Sequence, residues 1–438
     1  MAPPPGYILN WLDGIQWNVT TPAYPGQSIF KISSEVIIAA TQRAPGMPSA
    51  TYDRQIDIGY DANTGRLLWI ENRSFPSYPT TFGRMGAMIN GIYTEYDSSL
   101  MQWHGYDALT GKKLWGPTKQ YENPWAMYAV GTYSADAAYG MMFANLIDGI
   151  HAHNLTTGER LWDFHAESSG FETVYGNFEF DLGPMTIADG KIFAATGHSH
   201  VQPLHRGAKL YAINATNGKE IWSIAGWMIG GWSGSIAVAD GYIVTLNGYD
   251  NQIYCFGKGP SATTVTASPK VSVHGNKVLV EGTVIDIAAG TKQDAQAARF
   301  PNGVPAVADE SMSEWMEYVY MQKPKPADTT GVKVTITVLD PNNNCYDVAT
   351  ATSDANGFYS ATFEPPVPGK YTIYATFEGS ESYWPSQAQT AIVVEDAPQP
   401  TPEPTPTPAP MTDTYITGFG IAIIVAIAIV GFLILRKR

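Results

Sequence analysis

Cysteine and charged residues are scarce in this chain of 438 residues. Only 2 cysteines are present, and charged side chains make up 15% of the sequence. Because two cysteines, Cys255 and Cys345, can form at most one bridge, a framework of disulfide bridges is excluded, and one bridge between two domains is the remaining alternative. Acidic residues outnumber basic ones by 40 to 26, and the basic residues form no stripe. We therefore expect no nucleic-acid partner.

Sequence motifs of catalytic sites are also scarce. The chain has no Gly-rich phosphate loop between a strand and a helix, no nucleophile elbow and no two-cysteine zinc spacing. Histidines alternate at His151 and His153 and at His198 and His200, with His205 nearby. Such pairs face one side of a strand and are compatible with a metal. Since no third ligand has a recognisable spacing, we interpret them as structural and assign no catalytic or metal-binding residue.

The dominant feature that is present is one phrase in four copies, at 60–69, 106–115, 153–162 and 213–222. In each copy the second residue is Asp or Asn, which opens a turn, and a glycine four positions later supplies a positive φ. A tryptophan then offers a large apolar plate to a neighbouring unit. The recurring residues are Gly65, Trp69, Gly111, Trp115, Gly158, Trp162, Gly218 and Trp222.

The spacing of these tryptophans indicates a β-propeller. They are 46, 47 and 60 residues apart (69 to 115, 115 to 162 and 162 to 222), a period typical of propeller blades. We predict blades at 27–73, 80–118, 124–166, 180–225 and 232–258. The fifth blade has no strand with the Thr-Gly-x-x-x-Trp pattern after it.

Two interpretations of the fifth blade remain open. Residues 14–20, Gly-Ile-Gln-Trp-Asn-Val-Thr, can supply the outer strand and close a five-bladed ring. Alternatively the chain lacks earlier blades and the five visible ones are part of a larger propeller. Residues 1–15 contain neither a basic region nor a long apolar core, so no secretory leader is recognisable, which favours the second interpretation.

After residue 259 the repeat stops and a different domain is predicted. Short alternating strands in 263–285 and 331–395 predict an Ig-like β-sandwich over 260–396. The insertion 286–330 contains Ser311-Met-Ser-Glu314, which matches a capping box. A one-faced apolar stripe follows and predicts a helix that packs on the sandwich or the propeller. The stripe consists of Met312, Trp315, Met316, Val319 and Tyr320.

The C-terminal segments predict a stalk and a membrane anchor. Residues 397–413 carry prolines at alternate positions, which favours an extended stalk. Residues 415–435 contain no charge and would span about 31 Å as a helix, the thickness of a bilayer core. Arg436, Lys437 and Arg438 follow. Because basic residues stay cytoplasmic, we predict that 414–438 is a single-pass anchor with its tail, and that the bulk of the chain is extracellular.

Four Asn-x-Ser/Thr sequons are candidate glycosylation sites in an extracellular protein. They begin at Asn18, Asn72, Asn154 and Asn214, of which Asn154 and Asn214 lie in repeat turns.

The phrase Tyr-Asp-Ala-x-Thr-Gly-x-x-x-Trp resembles the PQQ-like repeat of the quinoprotein-dehydrogenase-like propeller superfamily, over residues 14–258. The order of propeller, Ig-like domain, stalk and anchor resembles archaeal surface proteins that carry such repeats. The resemblance implies an all-β fold. Quinoprotein enzymes of this type hold their quinone on a tryptophan plate beside a Ca²⁺ site and an acidic base. No residue here falls in a motif that lets these roles be transferred, so pyrroloquinoline quinone is implied by the resemblance alone.

These observations predict a membrane-anchored extracellular protein that binds, adheres or acts as a scaffold, and they lean against an enzyme. The bilayer is one partner, through 415–435. A glycan, a peptide or an envelope protein is the expected ligand. Aromatic loops such as 121–125 and 226–232 are candidate contacts for it, and packing of their aromatic residues in the core between blades is the alternative. Two alternatives remain: a membrane-anchored, quinone-dependent oxidoreductase, and a purely structural component of the cell envelope.

Overall fold

The computed structural model describes residues 11–22, 24, 27–41, 54–74, 85–97, 100–127, 135–146, 148–168, 185–197, 206–228, 236–399 and 410–437. These residues form antiparallel sheets together with a few short helices and one long C-terminal helix. The predicted all-β class is confirmed.

The repeat region folds into five successive antiparallel sheets at the positions predicted for the blades. In each of them the strands pair in chain order. The first sheet contains β1 (Gln27–Ile32), β2 (Val36–Thr41), β3 (Arg54–Asp61) and β4 (Leu67–Ser74). The second contains β5 (Met85–Ile89), β6 (Ile92–Asp97), β7 (Gln102–Asp107) and β8 (Lys113–Trp115). The third contains β9 (Ala135–Ala138), β10 (Met141–Leu146), β11 (Gly149–Asn154) and β12 (Arg160–Phe164). The fourth contains β13 (Thr186–Ala188), β14 (Lys191–Ala195), β15 (Lys209–Asn214) and β16 (Glu220–Ala225). The fifth contains β17 (Ala237–Ala239), β18 (Tyr242–Asn247) and β19 (Gln252–Gly257).

The repeated phrase forms the turn between the third and fourth strands of a sheet. In the first copy the Asp61 carboxylate accepts hydrogen bonds from the backbone N–H groups of Asn63 and Thr64, both at 3.0 Å. Gly65 has a φ of 71°, in the left-handed region that favours glycine. The turn therefore follows from the Asp and the Gly of the phrase, as the sequence predicts.

Neighbouring sheets stack on each other through apolar faces. The first strands of successive sheets lie side by side where β1 contacts β5, β5 contacts β9 and β13 contacts β17. Between the first and second sheets, Phe30, Ile38 and Trp69 pack against Tyr93 and Tyr106. Among the described residues, the fifth sheet has three strands and residues 14–20 form none, so no ring closure is seen.

Residues 261–395 form a β-sandwich. In one sheet β23 is central, with β20 and β21 along one edge and β24 and β27 along the other. The second sheet has the order β22-β29-β28-β25-β26, and a shared apolar core lies between the two sheets. The strands are β20 (Ser261–Thr263), β21 (Thr266–Ser268), β22 (Val271–Val273), β23 (Val278–Asp286), β24 (Val304–Pro305), β25 (Lys333–Leu339), β26 (Cys345–Thr352), β27 (Phe358–Phe363), β28 (Gly369–Phe377) and β29 (Ser386–Glu395).

The insertion in the sandwich contains the helices α1 (Asp294–Arg299) and α2 (Met312–Met321). The helix predicted from the apolar stripe is present, and its Trp315 and Val319 are buried. The predicted capping box is wrong. A short 3-10 turn precedes α2 and places Ser311 in a helical conformation, so its side chain caps nothing in α2 and instead accepts a hydrogen bond from the Thr330 N–H at 3.1 Å.

The C-terminal helix α3 (Thr412–Leu435) has 24 residues, none of them buried. Its length of about 36 Å exceeds the thickness of a bilayer core, and no charged side chain follows Asp413 within it. It is the one helix in the described part of the chain that is long and apolar enough to cross a membrane, and it contains the predicted span 415–435. Most of the predicted stalk lies outside the described residues.

Candidate functional site

The repeat tryptophans connect each sheet to the next one. The Trp69 Nε1–H donates a hydrogen bond to the Ala108 carbonyl at 2.9 Å, and its ring lies against Gly111 in the following turn. Trp115 donates to Leu155 in the same way, at 2.8 Å. Trp162 repeats the arrangement, with a donation to the Ala215 carbonyl at 3.2 Å and its ring against Gly218. The phrase therefore determines contacts between sheets as well as turns within them.

Trp17 makes the same contact although no preceding sheet is present in the described residues. Its Nε1–H donates to the Ala62 carbonyl at 2.9 Å, and its ring lies against Gly65. Tyr24 packs nearby against Ile58 and Tyr60 on the same outer face of the first sheet. The N-terminal segment thus occupies the position of a preceding repeat tryptophan.

Trp222, the fourth repeat tryptophan, lies between the fourth and fifth sheets. Its ring is 5.4 Å from the ring of Phe256 and 6.3 Å from that of Phe193. The strand that carries it, β16, is also the outer strand on which the sandwich insertion packs.

Helix α2 joins the sandwich to β16. The Ser313 hydroxyl accepts a hydrogen bond from the Ser223 N–H at 3.1 Å, and the Glu317 carboxylate accepts one from the Ala225 N–H at 2.6 Å. Residues four apart on the helix thereby satisfy alternate N–H groups of an edge strand. Met316 packs beside them on the apolar cluster of the fourth sheet. The apolar stripe of α2, which was predicted to pack on the sandwich or on the propeller, contacts both.

A charged cluster is buried between the first and second sheets. The Arg73 guanidinium is paired with Asp57, donates to the Tyr93 hydroxyl, and donates to the Gly111 carbonyl at 2.9 Å. Its plane lies 3.6 Å from the centre of the Tyr106 ring. One side chain in β4 therefore contacts two strands and the repeat turn of the next sheet.

A second carboxylate completes this cluster. The side-chain amide of Gln55 donates to Asp57 at 2.6 Å and to Glu95 at 2.7 Å, and both acids are less than 2% exposed. Burial opposes the charge on Arg73, but the Asp57 and Glu95 carboxylates raise the pKa of this guanidinium above its usual value. The guanidinium remains charged and offsets part of the negative charge of the two buried acids.

A second buried cluster, in the third sheet and its contact with the second, centres on His151. One imidazole nitrogen lies 2.6 Å from Asp163 and the other 3.2 Å from Asp148. Burial lowers the pKa of His151, but the hydrogen bonds to the two carboxylates outweigh it and raise the pKa above the usual value. Arg160 lies beside them and shares the Asp163 carboxylate.

His153, two residues along the same strand, has the opposite character. Its Nε2 is 2.7 Å from the Tyr121 hydroxyl, which accepts from the Trp103 Nε1–H at 3.0 Å. Its Nδ1 is 3.1 Å from the Gly158 carbonyl in the repeat turn. Burial lowers the pKa of His153 to about 4, so the imidazole is neutral near pH 7. Because a carbonyl oxygen can only accept, Nδ1–H donates to the Gly158 carbonyl and Nε2 accepts from the Tyr121 hydroxyl.

The histidine pairs expected to be structural can be followed in part. His151 and His153 are buried in β11, each with its own hydrogen-bond partners. His198, His200 and His205 lie outside the described residues. Within the described ranges no three His, Cys, Asp or Glu side chains lie together as a metal site.

The aromatic loops considered as ligand contacts are partly buried where they are described, while Glu122 and Pro124 are exposed. Tyr121 is 2% exposed and Met228 is 1% exposed. Both pack in the interior beside their sheets, in the alternative role of core residues. Residues 229–232 and the Trp125 side chain lie outside the described part.

The four sequons differ in exposure. Asn18 and Asn72 are exposed. Asn154 and Asn214 are half-buried, and their side-chain oxygens accept hydrogen bonds at 2.9 Å from the N–H groups of Thr156 and Thr216. The amides in the repeat turns are therefore engaged in turn formation.

Sequence reasoning missed the Arg73 cluster and the acids around His151. The charged members of the first cluster and Gln55 come from β3, β4 and β6, and Gln55 and Glu95 are 40 residues apart. A charged residue four positions after a repeat tryptophan, in a β-strand, was the only local signal.

Comparison with known proteins identifies the repeat type. Residues 147–258 match the profile of a family described as outer membrane protein assembly factor BamB. No curated protein matches the sequence. The predicted PQQ-like repeats are confirmed over this segment, which spans β11 to the end of β19.

Several solved structures are similar to the chain. BamB from Moraxella catarrhalis has 13% identity and a TM-score of 0.31, and the match covers 75% of this chain and 82% of that protein. Quinohemoprotein alcohol dehydrogenase ADHIIG from Pseudomonas putida HK5 has 11% identity and a TM-score of 0.32, with 89% and 78% covered. The quinohemoprotein alcohol dehydrogenase from Comamonas testosteroni has 13% identity and a TM-score of 0.28, with 88% and 78% covered. Sequence identities of 11–13% and TM-scores of 0.28–0.32 carry no information about the activity of this chain.

Proposed function

We propose that this protein is anchored in the cell membrane by α3 and displays a β-propeller outside the cell as a binding or scaffold module. Its domains are a propeller over 1–259, an Ig-like sandwich over 260–396, a stalk over 397–413 and the anchor over 414–438. The observation that carries the proposal is the combination of an exposed apolar helix at one end with a sheet array joined to a sandwich by α2.

The orientation is supported by charge and by exposure. Arg436, Lys437 and Arg438 follow the apolar helix directly, and positive residues at the end of a span stay cytoplasmic. The exposed sequons at Asn18 and Asn72 belong to the opposite, extracellular side of the membrane in this arrangement.

The buried polar clusters support a structural role for the residues that form them. Arg73 of the first sheet is hydrogen-bonded to Gly111 in the turn of the second, and His153 of the third sheet is hydrogen-bonded to Tyr121, which follows the second. They orient one sheet on the next, so the surface of the array is what a partner would contact.

A protein is the partner class best supported. The family that matches 147–258 is named for a factor in the assembly of outer membrane proteins, and Tyr121 and Met228 of the aromatic loops that could contact a glycan are buried. We therefore expect the displayed array to bind a protein of the cell envelope.

The test uses the chain cut after residue 410 and purified envelope material from the source cells. One portion of the envelope is digested with protease, and a second is treated with periodate, which oxidises glycans. Binding to the untreated and periodate-treated material, and its loss after protease, is the expected result. Loss after periodate alone would identify a glycan ligand, and absence of binding to all three would contradict the binding role.

A further inference from the structure

The His151 side chain is completely buried, yet it lies between two carboxylates. Its Nδ1 is 2.6 Å from Asp163 Oδ1, and its Nε2 is 3.2 Å from Asp148 Oδ1. An ionised carboxylate only accepts hydrogen bonds, and only the imidazolium form of histidine carries a hydrogen on both ring nitrogens. The position of the ring between the two acids therefore requires the charged form of His151.

Two further basic side chains of the third sheet face the His151 ring. The Arg160 Nη2 lies 3.2 Å from Nδ1, but Asp163 is nearer and is shared by both bases, so the Nδ1 hydrogen is directed to that carboxylate. The ring centre of His165 is 5.8 Å away, and its Nδ1–H donates to the Asp148 carbonyl at 2.7 Å, a bond that a neutral imidazole makes. The two acids are thus balanced by Arg160 and a charged His151. Loss of the His151 proton leaves one negative charge of this cluster uncompensated.

The cluster contacts the segment that follows the second sheet, residues 116–127, which we call the connecting segment. The centre of the Tyr121 ring lies 4.6 Å from the centre of the His151 ring and 5.0 Å from the central carbon of the Arg160 guanidinium. A cation within about 6 Å of the centre of an aromatic ring is attracted to it. The Tyr121 hydroxyl also donates to the neutral His153 at 2.7 Å. Tyr121 is therefore the residue through which the proton on His151 acts on the connecting segment.

Neutral groups hold the connecting segment on the second sheet. The Thr118 N–H donates to the Trp103 carbonyl at 3.0 Å, and the Trp103 Nε1–H donates to the Tyr121 hydroxyl at 3.0 Å. The charged residues of the segment, Lys119 and Glu122, are exposed and paired with each other at 2.9 Å. Because these contacts do not involve the His151 proton, its loss weakens the attachment of the segment to the third sheet and leaves the attachment to the second in place.

We propose that His151 is a pH-sensitive switch: with its proton it holds the connecting segment on the third sheet, and without its proton the segment detaches and Tyr121 becomes exposed. Burial opposes the charge on His151, but the hydrogen bonds to Asp148 and Asp163 raise its pKa above the ordinary value of 6.5. Since the pKa is raised in the folded state, the attachment is complete below pH 6.5 and is lost as the pH rises through the raised value. The switch does not depend on the identity of the partner.

The first test follows hydrogen exchange by mass spectrometry in the full chain in detergent, between about pH 6.5 and pH 9.5. After correction for the intrinsic exchange rate, protection of 116–127 is expected to fall by up to about tenfold per pH unit and then to level off. The sandwich strands β25 and β28 are expected to keep their protection. His151→Gln has no proton to lose, so its segment is expected to be less protected at pH 6.5 and to show no such decrease. His165→Asn, the matched control, keeps a donor for the Asp148 carbonyl and is expected to behave as the unchanged chain does.

A direct titration keeps the test decisive where His151→Gln does not fold. The histidine ring carbons are labelled with carbon-13, and the NMR signal of His151 is the one that Asp148→Asn shifts most and that His165→Asn retains. Asp148→Asn keeps an acceptor oxygen and removes one negative charge, so the pKa of His151 and the pH at which protection is lost are expected to decrease together. Titration of His151 at or below pH 6.5 in the unchanged chain would overturn the proposal. So would an unchanged pH profile in His151→Gln, or a loss of protection spread equally over all the sheets.

Discussion

Gly158 shows how a single residue connects two sheets. Its φ of 76° requires the left-handed region, and a Cβ placed on it would lie 2.4 Å from the Trp115 ring. The glycine is therefore needed for the turn and for the approach of the neighbouring sheet. Gly140 has the same φ of 76°, but no atom lies within 4 Å of its added Cβ.

This pair of glycines gives a matched prediction for the chain cut after residue 410. Gly140→Ala is expected to lower the free energy of unfolding by about 1–2 kcal/mol, the cost of a left-handed alanine. Gly158→Ala has the same cost and is expected to lose about 1–3 kcal/mol more through the clash with Trp115. Urea unfolding, followed by tryptophan fluorescence, measures the free energy of unfolding of the two variants. Equal losses would show that the ring does not pack on this turn.

Charged residues in the core could not be located from the sequence. Arg73 and Asp57 are in adjacent strands, but Glu95 and Tyr106 belong to the next sheet, and nothing in the spacing brings these four together. The turn residues were predictable because Asp, Asn and Gly act on their own backbone. The cluster depends on how two sheets stack, which one sequence does not encode locally.

At the scale of elements, α2 covers the edge of the fourth sheet. Its apolar stripe was predictable from helical periodicity, and so was its packing role. The hydrogen bonds of Ser313 and Glu317 to β16 were not, since they join residues 90 and 92 positions apart. The capping box was not formed for a related reason. The chain folds back at Thr330, and the Thr330 N–H donates its hydrogen bond to the Ser311 hydroxyl.

The junction can be tested by truncating the Glu317 side chain. Glu317→Ala removes the carboxylate that accepts the Ala225 N–H, and a hydrogen bond to a charged group contributes about 1.5–3 kcal/mol. We expect a loss of this size in the unfolding of the fourth sheet, together with faster proteolysis between array and sandwich. Glu314→Ala, exposed on the same helix, is the control and is expected to change stability by less than about 0.5 kcal/mol. Identical behaviour of the two variants would exclude α2 as the joint.

At the scale of the whole molecule, the sequence predicted the order of parts better than their contacts. Turn phrases, alternating strands and an uncharged run are local signals, and the five sheets, the sandwich strands and α3 followed from them. The partner surface did not follow, because Tyr121 and Met228 of the candidate contact loops are buried.

The central claim is that the array and sandwich face outward from a membrane crossed by α3. Cys345 is exposed in β26 and reports the side on which the sandwich lies. In a Cys255→Ser variant, intact cells are treated with a membrane-impermeant maleimide. A matched variant with both natural cysteines changed to serine carries one cysteine added after Arg438. The account predicts that Cys345 is labelled in intact cells and that the added tail cysteine is labelled only after permeabilisation; the reverse pattern would contradict it.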